Sequence, residues 1–328
     1  MHISRMAFYY HFQDLYDLTD CEIGKFLGAF REVYNQERSI TYFKNEYTST
    51  CLEHSFHTLL YNEFDEICGS YSLIPFIYSV KGEEVLVGLG SDLFIKDSYR
   101  DNVSNLLSVL NAAIKNAEEV GMVACFGFPN DNSEMVSRAF LKEKRIGLLD
   151  TYILPYKIGD YKASMKLLNP FSILFSNCLL GLSHLSSSNN IADTIIRKVR
   201  PQFEQTRFKW FNPTDYHLYQ NNEMQCVWKI SAFEGVKACF LMDVYPLTAR
   251  NFDKAVRKMV SDVKKECGLF LYVGHLHFTP LSMVKIPRRF EPKAFRFDCR
   301  ILDKEKLSKV DVFNIDNWEV DLSSYDLL

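Results

Sequence analysis

Residues Gly88 to Asn130 (GLGSDLFIKDSYRDNVSNLLSVLNAAIKNAEEVGMVACFGFPN) form the stretch around which the candidate chemistry gathers. A strand-like run ends in a polar turn at Asp97–Arg100, a helix-like run follows, and a second strand-like run closes at Phe126–Asn130. That order aims a helix N-terminus and two strand ends at one place. Free backbone N–H groups and the helix dipole both favour negative charge there, so the stretch suits an anionic ligand. Asp101 puts a negative charge in the same turn and reads as the N-cap of the helix that follows.

Other constellations are weaker. Gly88-Leu89-Gly90 starts a GxGxxG pattern but reaches Leu93 where the last glycine belongs, so the dinucleotide fingerprint fails. His275 and His277 share one face of a strand, as two metal ligands would, yet no third ligand has suitable local spacing and no HExxH motif exists. A structural role is therefore expected for them, and for His54 and His57, and no metal is expected. The absence of a GxSxG elbow leaves serine-hydrolase chemistry without support.

Several elements must position these residues. Thr19 and Glu22 form a capping-box pattern ahead of Ile23, Phe26, Leu27, Phe30 and Val33, which predicts an amphipathic helix over 19–37. Residues 40–52 read as irregular. Ser55–Tyr61, Ile67–Val80 and Glu84–Ile95 read as three strands of an antiparallel meander, with Pro75 at an edge or bend and Gly88 and Gly90 at a bulge or close approach. A helix with Val103, Leu106, Leu107, Leu110, Ile114 and Ala117 on one face ends at Gly121, and the strand Met122–Phe128 can lie parallel to the one before it. A helix over 133–145 and a strand Leu148–Tyr156 follow.

The pattern then begins again. A linker over about 157–190 contains Leu167–Leu185, which reads as a buried helix because Asn169, Pro170, Asn177 and His184 interrupt it, and ends in the loop run Ser186–Asn190. Next come a helix Ile191–Phe203 broken at Pro201, a hairpin Glu223–Ala232 and Gly235–Tyr245 turning at Glu234-Gly235, a helix from Ala249 to Cys267 closed by Gly268, and a strand Leu269–Phe278. Gly121 and Gly127 recur as Gly268 and Gly274, each 147 residues on (268 − 121 and 274 − 127). Two copies of one fold are expected: residues 1–160, a linker helix over 161–190, and 191–328. The acidic C-terminus around Trp318 reads as a solvated tail with one anchored side chain.

The bulk numbers bound the function. A formal charge of −3 and no dense basic patch give no reason to expect nucleic acid. Nine cysteines, an odd number with no CxxC pair and mostly in apolar runs, predict reduced thiols and a cytoplasmic protein. No signal peptide and no membrane span are expected.

The order helix, antiparallel meander, strand–turn–helix–strand–helix–strand resembles the Gcn5-related N-acetyltransferase (GNAT) superfamily. The likeness is carried by Phe94-Ile95-Lys96-Asp97-Ser98-Tyr99-Arg100, similar to that family's strand-four ending, and by Phe126-Gly127-Phe128-Pro129-Asn130, similar to the end of its fifth strand. It covers about residues 19–156, and 191–310 more faintly. It implies an α/β fold class, a mixed, mostly antiparallel sheet with flanking helices, as two tandem acyl-CoA N-acyltransferase folds with a degenerate second copy. The implied reaction moves an acyl group from acetyl-CoA or another acyl-CoA to an amine of a small molecule or sugar.

In such a protein the strand backbone at Leu93, Phe94 and Ile95, the turn at Arg100, Asn102, Val103, Ser104 and Asn105, and Asn130 and Ser133 would hold the acyl-CoA. Asp92 lies where relatives place a carboxylate and is a candidate base. Counting from Asn130 to the family's acidic tyrosine lands on Ser137. The family's pyrophosphate turn carries glycines after the arginine; Asp101–Asn105 has none, although Asn102 and Asn105 tolerate left-handed backbone angles. A non-catalytic scaffold or binding protein of the same fold is therefore the alternative. Aminoacyl transfer of the peptidoglycan type is a further alternative, and the net charge disfavours it.

Overall fold

The computed structural model describes residues 9–14, 18–187, 195–211, 214–233, 235–291 and 293–325. The chain divides into two compact units, 1–147 with 195–212 and 297–313, and 148–194 with 213–296 and 314–328.

The first unit opens with β1 (Tyr9–Asp14) and α1 (Asp20–Tyr34). Thr19 caps α1 through the expected box, its side chain accepting from the Glu22 N–H while Glu22 accepts from the Thr19 N–H. Residues 40–52 are not irregular: Ser39 caps α2 (Ile40–Thr48), and Phe43 and Tyr47, four apart, bury its inner face. β2 (Phe56–Tyr61), β3 (Ile67–Val80) and β4 (Glu83–Ile95) form the antiparallel meander. Pro75 falls where β2 has stopped pairing, past Leu73, and before the next pairing at Tyr78, so its missing N–H breaks no ladder there.

After the single turn α3 (Asp97–Arg100) comes α4 (Val103–Glu119), and Gly121 at φ +83 lets the chain leave it. β5 (Ala124–Gly127) then lies parallel to β4. α5 (Glu134–Ala139) is shorter than the helix expected over 133–145, because Lys142 turns to φ +56 and the chain enters β6 (Lys144–Leu148).

One residue, Leu149, separates β6 from β7 (Asp150–Pro155). A hairpin return needs at least about two turn residues, so β7 cannot fold back beside β6. It pairs instead in the second sheet. The strand next to β5 in the first sheet comes from far along the chain.

Residues 163–185 form a long apolar stretch with α6 (Asn169–Leu182) at its centre, long and apolar enough by length and composition alone to cross a membrane. It is not the buried helix expected: its small polar residues Ser172 and Ser176 face inward, while Phe171, Leu174, Phe175 and Leu182 are exposed. Periodicity of apolar residues marks an inner face only when that face packs on its own chain.

Of the helix expected over 191–203, residues 191–194 lie outside the described residues, and the rest is β8 (Ile196–Lys198), which pairs with β3, and α7 (Arg200–Glu204), which carries Pro201 in its first turn. Ser188–Asn190 and Glu234 lie outside the described residues.

In the second unit β9 (Tyr216–Gln220), β10 (Gln225–Phe233) and β11 (Val236–Tyr245) are antiparallel neighbours. α8 (Ala249–Val263) is capped by Thr248 and leads to β12 (Leu269–Gly274), parallel to β11. α8 ends before Gly268, and a β-carbon at Gly268 would meet Lys157 and Asp160, so this glycine serves close approach rather than helix closure. The short β13 (Val284–Lys285) pairs with β7, and β14 (Arg296–Ile301) completes the strand set. The first sheet runs β1-β2-β3-β4-β5-β14-β6 with β8 on β3; the second runs β13-β7-β12-β11-β10-β9.

The C-terminal segment is docked, not solvated: Trp318, Val320 and Leu322 are all buried, and Gly274 bridges to Asp321. Tyr71, Leu73, Val109, Leu110 and Cys125 belong to the core under α4, and Phe252, Val256, Met259, Phe270 and Tyr272 to the core under α8.

Candidate functional site

In the first unit β4 and β5 are paired only from Val87 to Leu89 and from Ala124 to Phe126. Beyond those rungs the two strands no longer pair with each other, and this fork has Gly90 and Gly127 at its mouth. A β-carbon at Gly90 would overlap the phenol of Tyr71, and one at Gly88 would lie 2.9 Å from Met122 Sδ. These glycines thus allow side chains to lie directly on the strand. The predicted bulge falls slightly later: Ser70 pairs with Phe94 and Ser72 with Ser91, leaving Tyr71 opposite both Asp92 and Leu93. Asp92 takes φ +45, a left-handed conformation costly for a residue with a side chain.

Three groups hold that bulge. Asp92 Oδ2 accepts from the Tyr47 hydroxyl at 2.5 Å and from Arg38 Nη1 at 2.8 Å, and Arg38 also reaches Glu46 Oε2 at 3.2 Å. The Tyr34 hydroxyl donates to the Leu93 carbonyl at 2.6 Å. Burial, then the Asp92 charge, pushes the Tyr34 phenol up to about 12 and the Tyr47 phenol well above its ordinary value. Burial works against the Arg38 charge, but Asp92 and Glu46 outweigh it and raise its pKa. Asp92 is thus an anchored carboxylate under two donors. His57, beneath it, stacks on Phe43 and shares a 2.8 Å hydrogen bond with Ser72; burial lowers its pKa to about 3, so it is a neutral core histidine as expected.

At the end of β5 a second cluster gathers. Ser137, in α5, donates to Glu143 Oε2 at 2.5 Å and lies 3.4 Å from Asp298 Oδ2. Asp298, on β14, is the register partner of Gly127, and Glu143 Oε1 would lie 4.0 Å from a β-carbon there. Arg145 pairs with Asp298 and with Glu134 Oε1 at 2.7 Å. Burial raises the Glu143 carboxyl to about 7; the Ser137 bond opposes that shift, and the Asp298 charge adds to it. The Tyr71 phenol is held well above its ordinary value by burial and then by Glu143. The arrangement is a buried, proton-sharing carboxyl beside the mouth of the fork, with a hydroxyl on it.

The remaining expected residues are placed as follows. Phe94 is buried among Phe26, Phe30 and Tyr34, and Ile95 fills the space left by Gly69. Arg100 donates through Nε to the Ile95 carbonyl at 2.7 Å and pairs with Asp97 at 2.7 Å. The N-cap of α4 is Asn102, not Asp101: its Oδ1 accepts from the Ser104 N–H at 3.1 Å and from the Ser104 hydroxyl at 2.6 Å. The Asn105 N–H donates to the Asn102 carbonyl, and its buried side chain donates to the Tyr99 carbonyl at 3.0 Å. Val103 is half-exposed. Asn130 Oδ1 accepts from the backbone N–H groups of Asn132 and Ser133 and from the Ser133 hydroxyl, forming a closed turn ahead of α5.

The structure therefore brings Asp92, Leu93, Phe94 and Ile95 together at the bulge, and Ser137 to the end of β5, while the turn residues bond mainly to one another. Sequence reasoning missed Tyr71, Glu143 and Asp298. Asp298 lies 161 residues from Ser137, and no local spacing connects them.

No protein-family model and no curated relative matches the sequence. Solved structures do match. A probable N-acyltransferase of unknown function from Enterococcus faecalis V583 is 11% identical, with a TM-score of 0.57 over 92% of this chain and 74% of that one. A GCN5-related N-acetyltransferase from Kribbella flavida is 12% identical, with a TM-score of 0.59 over 91% and 72%. Eis1 from Mycobacterium abscessus is 9% identical, with a TM-score of 0.54 over 92% and 75%. Identities this low speak to architecture, and each of the two sheets holds a parallel pair joined by a helix, β4–α4–β5 and β11–α8–β12. The chain has the fold of the Gcn5-related N-acetyltransferases, in two tandem units.

Proposed function

We propose that the first unit transfers an acyl group from an acyl-coenzyme A thioester to an amine of a small molecule or sugar. The observation that carries the proposal is the fork between β4 and β5, with a bulge on one arm and the Ser137–Glu143 pair at the other. Beyond Leu89 and Phe126 the fork leaves strand backbone unpaired by its neighbour, which fits the amide-bearing arm of coenzyme A. When bound, the thioester supplies the activated acyl group.

The chain's residues would do the rest. Holding amine and thioester at the fork removes entropy from the barrier. Backbone N–H groups at the Asp92–Leu93 bulge would face the charge that develops on the carbonyl oxygen. The amine nitrogen forms its bond to the acyl carbon as the carbon–sulfur bond breaks; the Ser137 hydroxyl would give the departing sulfur a proton and take one from the protonated Glu143 carboxyl, and the proton shed by the amine nitrogen would pass through water to restore that carboxyl. A carboxyl raised to about 7 is suited to exchange protons at neutral pH. Asp92, bound to Tyr47 and Arg38, would position the bulge rather than take the amine's proton. The cysteines, six of them buried and all free, support a cytoplasmic setting.

One observation favours the scaffold reading instead. The N-terminus of α4, where a pyrophosphate would be received, is satisfied by Asn102 and stands beside Asp97 and Asp101. The two readings separate in thermal unfolding with acetyl-CoA and longer acyl-CoAs. A ligand at one hundred times its dissociation constant stabilises by about 2.7 kcal/mol. The enzyme reading expects a shift with at least one acyl-CoA, and no shift at millimolar concentrations would sink it.

A further inference from the structure

The second unit carries, at the end of β12, a cluster the sequence alone cannot assemble. β12 stops at Gly274, short of the Phe278 expected, and His275 and His277 follow it in irregular chain with the buried Leu276 between them. Their rings lie 4.8 Å apart, edge to face. The C-terminal segment brings the third group: Asp316, in the turn Ile315–Asn317, sets Oδ1 2.9 Å from His275 Nε2. One ligand atom from each of the three lies within 4.8 Å of the others, and among the described residues this is the one such group.

Asp316 does not hang on a loose tail. The His275 N–H donates to the Val320 carbonyl at 3.0 Å, Gly274 bridges to Asp321, and Asn314 accepts from the Asp316 N–H at 3.1 Å. Trp318, Val320 and Leu322 are buried on either side of those bonds. A surface hydrogen bond between one histidine and one aspartate would not need the second imidazole. Two ligands each about 2.1 Å from a metal stand roughly 3 Å apart, close to the observed His275–Asp316 spacing.

We propose that His275, His277 and Asp316 form a binding site for a divalent transition metal of the zinc type, which fastens the C-terminal segment of the second unit to the end of β12. Two imidazoles and one carboxylate suit zinc, cobalt or nickel better than magnesium or calcium. His277 and Asp316 are exposed, so the metal keeps at least one position open to water or to an exchangeable ligand. The site is independent of the acyl-transfer reading, since none of its residues belongs to the first unit.

The test uses the full chain, stripped with a chelator and titrated with Co²⁺. The expected result is visible d–d absorption saturating at one Co²⁺ per chain and displaced by Zn²⁺, without the intense near-ultraviolet band of cobalt–thiolate bonds. His277→Ala and Asp316→Asn should each weaken binding by at least about tenfold, because even an outer partner of a ligand is worth that much. His54→Ala should leave it unchanged. Zn²⁺ should also slow proteolysis of the C-terminal segment in the unmodified protein and not in the two variants. Both changes are on exposed side chains, and matching metal-free unfolding midpoints will show that the variants are folded. No absorption at millimolar Co²⁺, a thiolate band, or binding indifferent to both substitutions would overturn the proposal.

Discussion

In the second unit β11 and β12 are likewise paired only from Cys239 to Leu241 and from Phe270 to Tyr272, and this fork differs from that of β4 and β5 at its mouth. In the first unit the strand after the parallel pair reads Gly127-Phe128-Pro129-Asn130; in the second it reads Gly274-His275-Leu276-His277. A tyrosine lies on a glycine in each, but on different arms. Tyr71 reaches from β3 onto Gly90, leaving the Gly127 side open to Glu143. In the second unit Tyr272, buried in β12 itself, puts its hydroxyl 2.5 Å from where a β-carbon of Gly274 would be. In the second the Tyr272 phenol lies against the mouth glycine, and imidazoles stand where the first has a phenylalanine and an asparagine. A fold present twice can thus keep its strand–helix–strand order in both units while the groups at the two mouths differ.

The sharpest way to break this comparison is catalytic. Ser137→Ala and Glu143→Gln should each lower kcat for acyl transfer by about 10³-fold, within the range of a lost general acid. KM for the acyl donor should move little, since neither group is expected to bind the ground state. Tyr272→Phe, which removes a buried hydroxyl without a hydrogen-bond partner in the second unit, should leave kcat unchanged. If Tyr272→Phe abolished turnover and Glu143→Gln did not, the assignment of the working fork would be reversed.

The next effect is on stability. The Glu143 carboxyl is raised from 4.5 to about 7, so the folded state holds a proton that the unfolded state releases. Its contribution is complete below about pH 4.5 and is lost as the pH rises through about 7, a change of up to about 3 kcal/mol at 1.36 kcal/mol per unit. His57, kept neutral down to about 3, works the other way between pH 6.5 and 3. It cancels in the difference between Glu143→Gln and the unmodified protein. Denaturant titrations from pH 4.5 to 8 should show the variant gaining relative stability as the pH rises. A flat difference would mean that Glu143 titrates as an ordinary surface carboxyl.

Glycine substitution sharpens the contrast at one equivalent position. Gly127→Ala has only Glu143 Oε1, at 4.0 Å, near its new methyl, and should stay within about 0.5 kcal/mol of the unmodified protein. Gly274→Ala would press on the Tyr272 phenol and should cost about 2 kcal/mol, in the range of overpacked cores. Equal costs would show that the second fork can open to make room.

The strand–helix–strand pair and its repeat were legible in the sequence because they rest on local signals: the Thr19–Glu22 box, the apolar face of α4, the turn at Gly121. That β7 joins the second sheet and β14 the first was not, since pairing partners are set by tertiary contacts; the one-residue link at Leu149 was the local trace of it. The inward serines of α6 defeated periodicity in the same way. At the site, counting along the chain reached Ser137, because the α5 position is local to β5. Glu143 and Asp298 carry no motif, and the His275–His277–Asp316 group spans 41 residues from its first member to its last, so only the fold brings them together.

The smallest expected effect bears on the turn that separates enzyme from scaffold. Asn102 and Thr248 cap the two crossover helices in the same manner, each accepting a backbone N–H from the first turn. Replacing either by glycine should cost only a few tenths of a kcal/mol, because glycine is itself a tolerable N-cap. The two differ in what the freed N–H groups would meet. Asn102→Gly uncovers the N-terminus of α4 next to the first fork and should raise affinity for acyl-CoA, read as a larger thermal shift at fixed ligand. Thr248→Gly uncovers the same groups beside the second fork and should leave that shift as it was. Should Asn102→Gly also leave it unchanged, the α4 terminus takes no part in binding, and any acyl-CoA bound by this chain would be held by the strands alone.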